Sequence, residues 1–197
     1  KDINEEKIKN IKEKIKLRNL FEFLSIPRFL YYFSDLIQNK NIEEIINLSK
    51  SEIFEHFIYR KINKERDKKY PESENHTIKR VLEELALVMK IFQVSQISKD
   101  EFFTIFKELN LGNIFTGKGL IEKLCNKSLL KDNIYYLEFE NQDFLDYLAS
   151  KELSRFEKIE QVFFDIAVEP HLKEVYTPWF YVMPFVLEQN PNMINII

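Results

Sequence analysis

Residues 128–153 read SLLKDNIYYLEFENQDFLDYLASKEL, and this stretch decides how the rest of the chain is interpreted. It begins with a short strand, Ser128 to Lys131, and turns at Asp132-Asn133. It returns as an aromatic and β-branched run of strand length, Ile134 to Phe139. Asn141 then supplies a good helix N-cap, and apolar residues recur after it at helical spacing. The stretch therefore predicts a β-hairpin, or wing, that leads directly into an amphipathic helix.

The segments before the hairpin predict the elements to which the wing is attached. The most strongly helical stretch starts at Thr77 and carries an apolar face at helical spacing. A capping box formed by Ser98 and Glu101 starts the next helix. A third helix is expected over Leu120 to Lys127, after a loop. Three helices followed by a hairpin is the order of a winged helix-turn-helix.

The first third of the chain predicts a separate group of helices. An amphipathic helix is expected over residues 2–15 and a second helical run over residues 17–25. Pro27 is well placed in the first turn of a third helix, because its missing N–H is not needed there. Ser49 or Ser51 is expected to cap a later helix. The charged segment from Lys64 to His76 lacks an apolar face and predicts a linker.

The predicted fold is therefore mainly α: a helical bundle, a winged-helix domain with one short β-hairpin, and then further helices. We assign residues 1–70 to a small helical domain and residues 71–156 to the winged-helix domain. Residues 157–197 are expected to begin a C-terminal helical or repeat segment, rich in aromatic residues.

Composition narrows the functional classes. The 197-residue chain is 45% hydrophobic and has only three Gly and six Pro, which favours a packed helical fold over a turn-rich β fold. The net charge of −3 gives no global basic surface for nucleic acid. No apolar run approaches the ~20 residues of a membrane span, and no signal peptide is present. A soluble cytoplasmic setting is expected, and the start at Lys1 suggests a piece of a longer protein.

No constellation of residues predicts catalysis or metal binding. Residues 112–118 fit the first part of a phosphate-binding loop, but Gly119 stands where Mg²⁺ needs a Ser or Thr hydroxyl. The adjacent acids Glu83 and Glu84 point in different directions on a helix, and a solvated face is expected for them. The single Cys125 is expected to be an inert, partly buried thiol. The three histidines lack zinc spacing.

Two functional alternatives follow from the residues alone. A winged helix can bind DNA, and its recognition helix here would be Leu120 to Lys127. That helix carries a mixed set of charges, whereas phosphate contacts need net positive charge, so nucleic acid is an unexpected partner. Alternatively, a helical scaffold could bind a protein partner through Trp179, Phe180 and Tyr181, although core packing is the more ordinary role of these aromatics.

The wing and the helix after it resemble the end of the winged-helix domain of NACHT-type STAND NTPases. These nucleotide-switched ATPases include NOD-like receptors and bacterial antiphage sensors. Their pattern is an aromatic residue, a histidine two positions later, and then a helix with conserved apolar positions. The positions that match it are Phe139, Phe144, Tyr147, Leu148 and Ala149. Asp146 replaces a Glu, and Asn141 stands at the histidine position.

The segment Leu24-Ser25-Ile26-Pro27-Arg28-Phe29-Leu30 resembles the start of the family's small helical domain. By resemblance, Pro27 would pack near the adenine, and Asn141 would stand where the histidine reaches the nucleotide phosphates. The chain would then be a lid that closes over ADP or ATP with Mg²⁺ in the full-length protein. Its partners would be its own ATPase core and sensor region, with homo-oligomerisation in signalling or antiviral defence. No cofactor and no catalysis are expected of this part alone.

Overall fold

The computed structural model describes residues 5–6, 8–9, 12–13, 24–38, 40–63, 72–109, 116–127 and 129–195. The chain divides into two compact units, Lys1–Arg60 and Lys61–Ile197. Most of the helices predicted over residues 2–15 and 17–25 lie outside the described residues, although the positions described within 5–13 are helical.

The first unit is built from helices with well-defined starts. Helix α1 (Pro27–Ile37) begins at the predicted proline, and α2 (Ile42–Asn47) begins with a capping box between Asn41 and Glu44. Helix α3 (Lys50–Asn63), whose last three residues belong to the second unit, starts after Ser49, whose hydroxyl accepts a hydrogen bond from Glu52 N at 3.1 Å. This selects Ser49 over Ser51 as the cap. Four buried aromatic rings in edge contact form much of the core: Phe29, Tyr32, Phe54 and Phe57.

The second unit begins with a helix–strand–helix–helix–strand–strand series. Its elements are α4 (Glu72–Ile91), β1 (Gln96–Ser98), α5 (Lys99–Glu108), α6 (Gly117–Asn126), β2 (Leu130–Asp132) and β3 (Tyr136–Phe139). The strands form one antiparallel sheet in the order β1–β3–β2. Helix α7 (Gln142–Leu153) follows β3 directly and packs along α4. The fold is thus mainly α-helical with a small three-stranded antiparallel sheet.

The prediction of one short hairpin missed a strand. Strand β1 is only three residues long and buries only Ile97, which faces Leu137 of β3, so its sequence carries little β pattern. The wing is also shorter than predicted. Ile134 and Tyr135 lie in the turn between β2 and β3 and are 82% and 73% exposed. Ser128, the predicted first residue of the wing, lies outside the described residues.

Two predicted loops prove to be partly helical. Helix α4 begins at Glu72, so His76 belongs to a helix and not to the linker predicted over Lys64 to His76. The loop predicted before the helix at Leu120 is shorter than expected. Helix α6 begins at Gly117, directly after the N-cap Thr116, whose hydroxyl accepts a hydrogen bond from Gly119 N at 3.1 Å. The described part of the chain contains no helix with both the length and the apolar character of a membrane span.

The C-terminal segment packs onto the same unit. It contains α8 (Ile159–Ala167), a 3₁₀ turn (Thr177–Tyr181), α9 (Met183–Gln189) and a second 3₁₀ turn (Pro191–Asn195). Trp179 lies in an apolar cluster with Leu87 of α4 and Leu153 of α7. Core packing is therefore confirmed for Trp179, whereas Phe180 and Tyr181 are 49% and 65% exposed.

Candidate functional site

Asn141 is the residue through which the wing enters α7. Its backbone is extended (φ −148°, ψ 133°), and its side-chain oxygen accepts a hydrogen bond from Asp143 N at 2.7 Å. The predicted N-cap is therefore confirmed. The cap uses the amide oxygen. The NH₂ group of the same side chain could donate a hydrogen bond to a phosphate oxygen. The side chain is only partly buried.

Pro27, the other predicted nucleotide-binding residue, is the first residue of α1 in the first unit and is exposed. Ile26 before it is extended, and its carbonyl accepts hydrogen bonds from Phe29 N and Leu30 N at 3.0 and 3.1 Å. These contacts explain the proline as a helix start. Both nucleotide assignments stay predictions.

Helix α7 is buried on nearly every side. Phe144, Tyr147, Leu148 and Ala149, which match the family pattern, are each at most 1% exposed. Helix α4 covers one side of α7, and α9 packs on another, where Tyr147 meets Phe185 ring to ring. A helix packed in this way cannot shift without repacking its contacts with α4 and α9.

A buried ion pair joins the start of α7 to the end of α4. Lys90 Nζ contacts Asp146 Oδ1, and the two side chains are 7% and 3% exposed. Gln142 lies 3.5 Å from the same carboxylate oxygen, a long hydrogen bond. Burial raises the pKa of Asp146, and the contact with Lys90 opposes that rise. One feature of the sequence indicates this buried charge: Asp146 is the only charged residue within the apolar run from Phe144 to Ala149.

A small cavity borders this ion pair. Its volume is about 220 Å³, and its walls include Lys90, Gln93, Gln142 and Pro178. Ligand pockets usually measure about 300–1,000 Å³. The cavity is therefore too small to hold a nucleotide by itself.

A second charged cluster lies farther along α4 and α7. Arg80 Nη1 lies 2.5 Å from Glu152 Oε2, and Arg155 contacts both Glu152 and Glu83. Glu83 is completely buried, so the solvated face predicted for Glu83-Glu84 is wrong for Glu83. Burial also raises the pKa of Glu152, although the charge of Arg80 opposes the rise. Sequence patterns do not indicate this cluster, because Arg80 and Glu152 lie 72 positions apart.

Helix α6, the candidate recognition helix, directs most of its cations inward. Lys123 Nζ lies 2.6 Å from Glu74 Oε2 of α4. Lys127 Nζ donates a hydrogen bond to the backbone oxygen of Ile62 at 2.7 Å and is buried. The exposed side chains that remain near the helix are Lys118, Glu122 and Asn126. This face therefore offers little net positive charge to a phosphate backbone.

The charged wing residues Lys131, Asp132 and Glu138 are in ion pairs, Asp132 with Lys99 of α5. Lys99 Nζ lies 2.6 Å from Asp132 Oδ1, and Lys131 Nζ lies 3.3 Å from Glu138 Oε1 on the neighbouring strand. Hydrogen bonds from Gln96 and Lys131 lower the pKa of Glu138, so its negative charge persists. The wing therefore lacks the positive tip that would approach a DNA groove.

The remaining candidate residues show no catalytic geometry. Residues 112–115 of the phosphate-loop-like segment lie outside the described residues, and Gly119 N donates a hydrogen bond to the Thr116 hydroxyl. Burial raises the pKa of the Cys125 thiol, which disfavours a thiolate nucleophile. His56 pairs with Asp35 at 2.9 Å in the first unit. Within the described residues, His, Cys, Asp and Glu side chains form no group that could hold a metal ion.

Comparisons with protein-family models, curated proteins and solved structures find no match to this chain.

Proposed function

We propose that the chain is the lid and switch of a NACHT-type STAND NTPase, comprising its small helical domain and its winged-helix domain. The observation that carries this proposal is the direct passage from the wing through Asn141 into α7. The residues of α7 that match the family pattern are all buried.

The strand order supports a winged-helix assignment for residues 72–139. The elements follow the order α4, β1, α5, α6, β2, β3, and β3 lies between β1 and β2. A winged helix places its first strand beside its hairpin in this way. Helix α7 and the C-terminal segment both pack on α4 and are therefore packing partners of the proposed winged helix.

The charge distribution favours a packing module over a DNA-binding regulator. Lys123 and Lys127 bind Glu74 and the backbone of Ile62, and the wing carboxylates Asp132 and Glu138 pair with Lys99 and Lys131. DNA-binding proteins instead present Lys and Arg to the phosphates. The proposed role of this winged helix is therefore to pack within the full-length protein.

In the complete protein, the proposed lid closes over ADP or ATP with Mg²⁺ held by an ATPase core. Pro27 would lie near the adenine, and the amide of Asn141 would donate to a phosphate. Asn141 carries no charge, so it would hold the nucleotide less strongly than the histidine of the family pattern. Reorientation of the lid would then release a surface for homo-oligomerisation.

The proposal is tested on the full-length protein. Its gene should encode a G-x-x-x-x-G-K-[ST] loop after a strand, upstream of Lys1. The purified protein should release ADP or ATP when it is denatured. A gene without this loop, or a protein that retains no nucleotide, would contradict the proposal.

Substitutions at Asn141 test the phosphate contact separately. Asn141→Ala should reduce retained nucleotide, and Asn141→His should increase it, because an imidazolium adds charge to the hydrogen bond. Asn133→Ala, in the exposed wing turn, is the matched control. The DNA-binding alternative predicts a different result: affinity for duplex DNA that falls steeply as salt rises.

A further inference from the structure

The turn between β2 and β3 presents apolar side chains to solvent. Ile134 and Tyr135 are 82% and 73% exposed, and Tyr136 is 47% exposed. Turns are usually built from Gly, Pro, Asn, Asp or Ser, so the geometry of this turn does not call for isoleucine and tyrosine. Contiguous exposed apolar residues, unlike single ones, mark interaction sites. Residues 134–136 are called the wing tip below.

Hydrogen bonds hold the wing tip in place. Asn133 N donates to Tyr136 O at 2.9 Å, and Tyr136 N donates to Asn133 O at 3.2 Å. Lys99 N, at the start of α5, donates to Tyr135 O at 3.1 Å, and the Lys99 ammonium group pairs with Asp132. A side chain on a turn that is already ordered costs less entropy to bind. Tyrosine is also among the residues that most often carry the binding energy of protein interfaces.

The cavity beside Lys90 has the size and the chemistry to receive a tyrosine side chain. Its volume is about 220 Å³. At about 30 Å³ each it has room for about seven water-sized groups, enough for the ring and hydroxyl of one tyrosine. Its apolar walls come from Met89, Val94 and Pro178. Hydrogen-bonding groups for a phenol hydroxyl come from Gln93, Ser95 and Gln142.

The surroundings of the cavity match the wing tip in polarity. Ile91 and Phe92, which directly precede the cavity residues in the chain, are 44% and 71% exposed. Among the described residues that line the cavity, Lys90 is the only charged one, and it is paired with Asp146. Apolar burial rather than charge attraction would therefore drive a contact here, which favours a protein surface over nucleic acid.

The wing tip of one copy cannot fill the cavity of the same copy. The tip lies at the end of the sheet where Lys99 meets Tyr135, whereas the cavity lies where Ser95 leads into β1 and Gln142 follows β3. The four steps from Ser95 to Lys99 span roughly 13 Å at about 3.3 Å per strand residue. A tyrosine side chain does not cover this distance, so the cavity needs the tip of another copy.

We propose that the wing tip of one copy inserts Tyr135 into the cavity of a second copy. Ile134 then packs on the exposed Phe92 beside that cavity. Tip and cavity are different surfaces, so the contact can repeat head to tail from copy to copy. The inference rests on the proposed function only for its biological role, as a contact between copies in homo-oligomerisation. Its test needs no nucleotide, so either proposal can fail while the other holds.

Sedimentation velocity of the 197-residue chain tests the contact. A small interface predicts a dissociation constant on the order of 100 µM, so the mean sedimentation coefficient should rise between about 10 µM and 1 mM. Tyr135→Ser and Ser95→Arg should each abolish this rise, because the first removes the anchor and the second fills the cavity. Tyr59→Ser, at a 61% exposed tyrosine of α3, is the matched control and should associate like the parent chain.

A mixture of the two variants separates insertion of the tip from general adhesion. Tyr135→Ser keeps its cavity and Ser95→Arg keeps its tip, so the mixture should form a one-to-one pair although neither variant associates alone. Both positions are exposed, and unchanged midpoints in urea denaturation should show that both variants fold.

Four results would overturn the proposal. They are a parent chain that stays monomeric at about 1 mM, a tip or cavity variant that associates like the parent, a mixture that does not pair, and a Tyr59→Ser control that loses association to the same extent.

Discussion

Lys90, near the end of α4, and Asp146, in the second turn of α7, form an ion pair that the fold buries almost completely. The pair lies in the contact between α4 and α7, the most extensive helix–helix contact described in the second unit. It fixes how far α7 can slide along α4, because any slip separates two charges that have little access to water. The start of α7, where Asn141 lies, is thereby fixed relative to α4.

Removing one partner of this pair should be more damaging than removing both. Lys90→Met keeps most of the aliphatic stem but leaves Asp146 buried without its cation, and it should lower the free energy of unfolding by about 3 kcal/mol. The double variant Lys90→Met/Asp146→Leu should recover much of that loss. Denaturation in urea measures both values. Strictly additive losses would show that the two side chains are not coupled.

The contribution of Asp146 and Glu152 should make the chain less stable as the pH rises from about 4 into the neutral range. Burial raises the pKa of both groups above the ordinary carboxyl value, about 4 in the unfolded chain. In the window between the two values, the native state holds protons that the unfolded state has released. The stabilisation is complete below the unfolded pKa and is lost as the pH rises through the folded pKa.

Asp146→Asn isolates this contribution, since it removes the titrating group but keeps its size. The variant should show a flatter dependence of unfolding free energy on pH than the parent chain between about pH 4 and 7. Denaturation midpoints measured across that range give the slope. An unchanged slope would mean that Asp146 does not titrate there.

Below about pH 4 the opposite slope is expected. Hydrogen bonds from Ser98 lower the pKa of Glu101, and a hydrogen bond from Gln96 lowers that of Glu138. Their stabilisation is present above the unfolded pKa and is lost as the pH falls through the folded pKa. Glu138→Gln should reduce this acid-side loss, and the same denaturation series measures it.

The local elements were largely predictable from the sequence because their causes are local. Pro27, Ser98 and Asn141 start helices through their own conformational limits and hydrogen bonds, and each starts a helix in the structure. The apolar spacing of α4 and α7 likewise reflects the face that each helix buries. Strand β1 escaped prediction because its three residues are defined by the pairing with β3, 38 to 42 positions away.

The buried charges could not be predicted for the same reason. Glu83 looks like half of a solvated acid pair until Arg155, from the turn after α7, lies against it. Lys123 and Lys127 look available to DNA until Glu74 and the backbone of Ile62 are placed beside them. The nucleotide roles of Pro27 and Asn141 stay predictions, because they come from the family resemblance and not from contacts among the described residues.

Asn141→Ala should lower the free energy of unfolding by about 1 kcal/mol, because Asp143 N loses its side-chain acceptor at the start of α7. Asn141→Asp keeps an acceptor at this position and adds a negative charge near the helix N-terminus, so it should cost less. Thermal or urea denaturation measures both. Equal losses for the two variants would indicate that the cap contributes little.

Gln93→Gly should stabilise the chain by roughly 0.5–1 kcal/mol, because Gln93 adopts a left-handed conformation that glycine tolerates far better. Its φ is 54°, and it lies at the end of α4, where Gln93 N donates to Lys90 O and Val94 N donates to Met89 O. Those two hydrogen bonds form the helix ending for which glycine is usually selected.

The matched control is Gln161→Gly within α8, where the backbone is helical. There glycine should destabilise the chain by about 1 kcal/mol, because it loses more conformational entropy than glutamine on folding. Urea denaturation of the two variants beside the parent chain therefore tests the sign as well as the size of the effect. Destabilisation by Gln93→Gly would show that its side chain contributes more to the turn than its backbone strain costs.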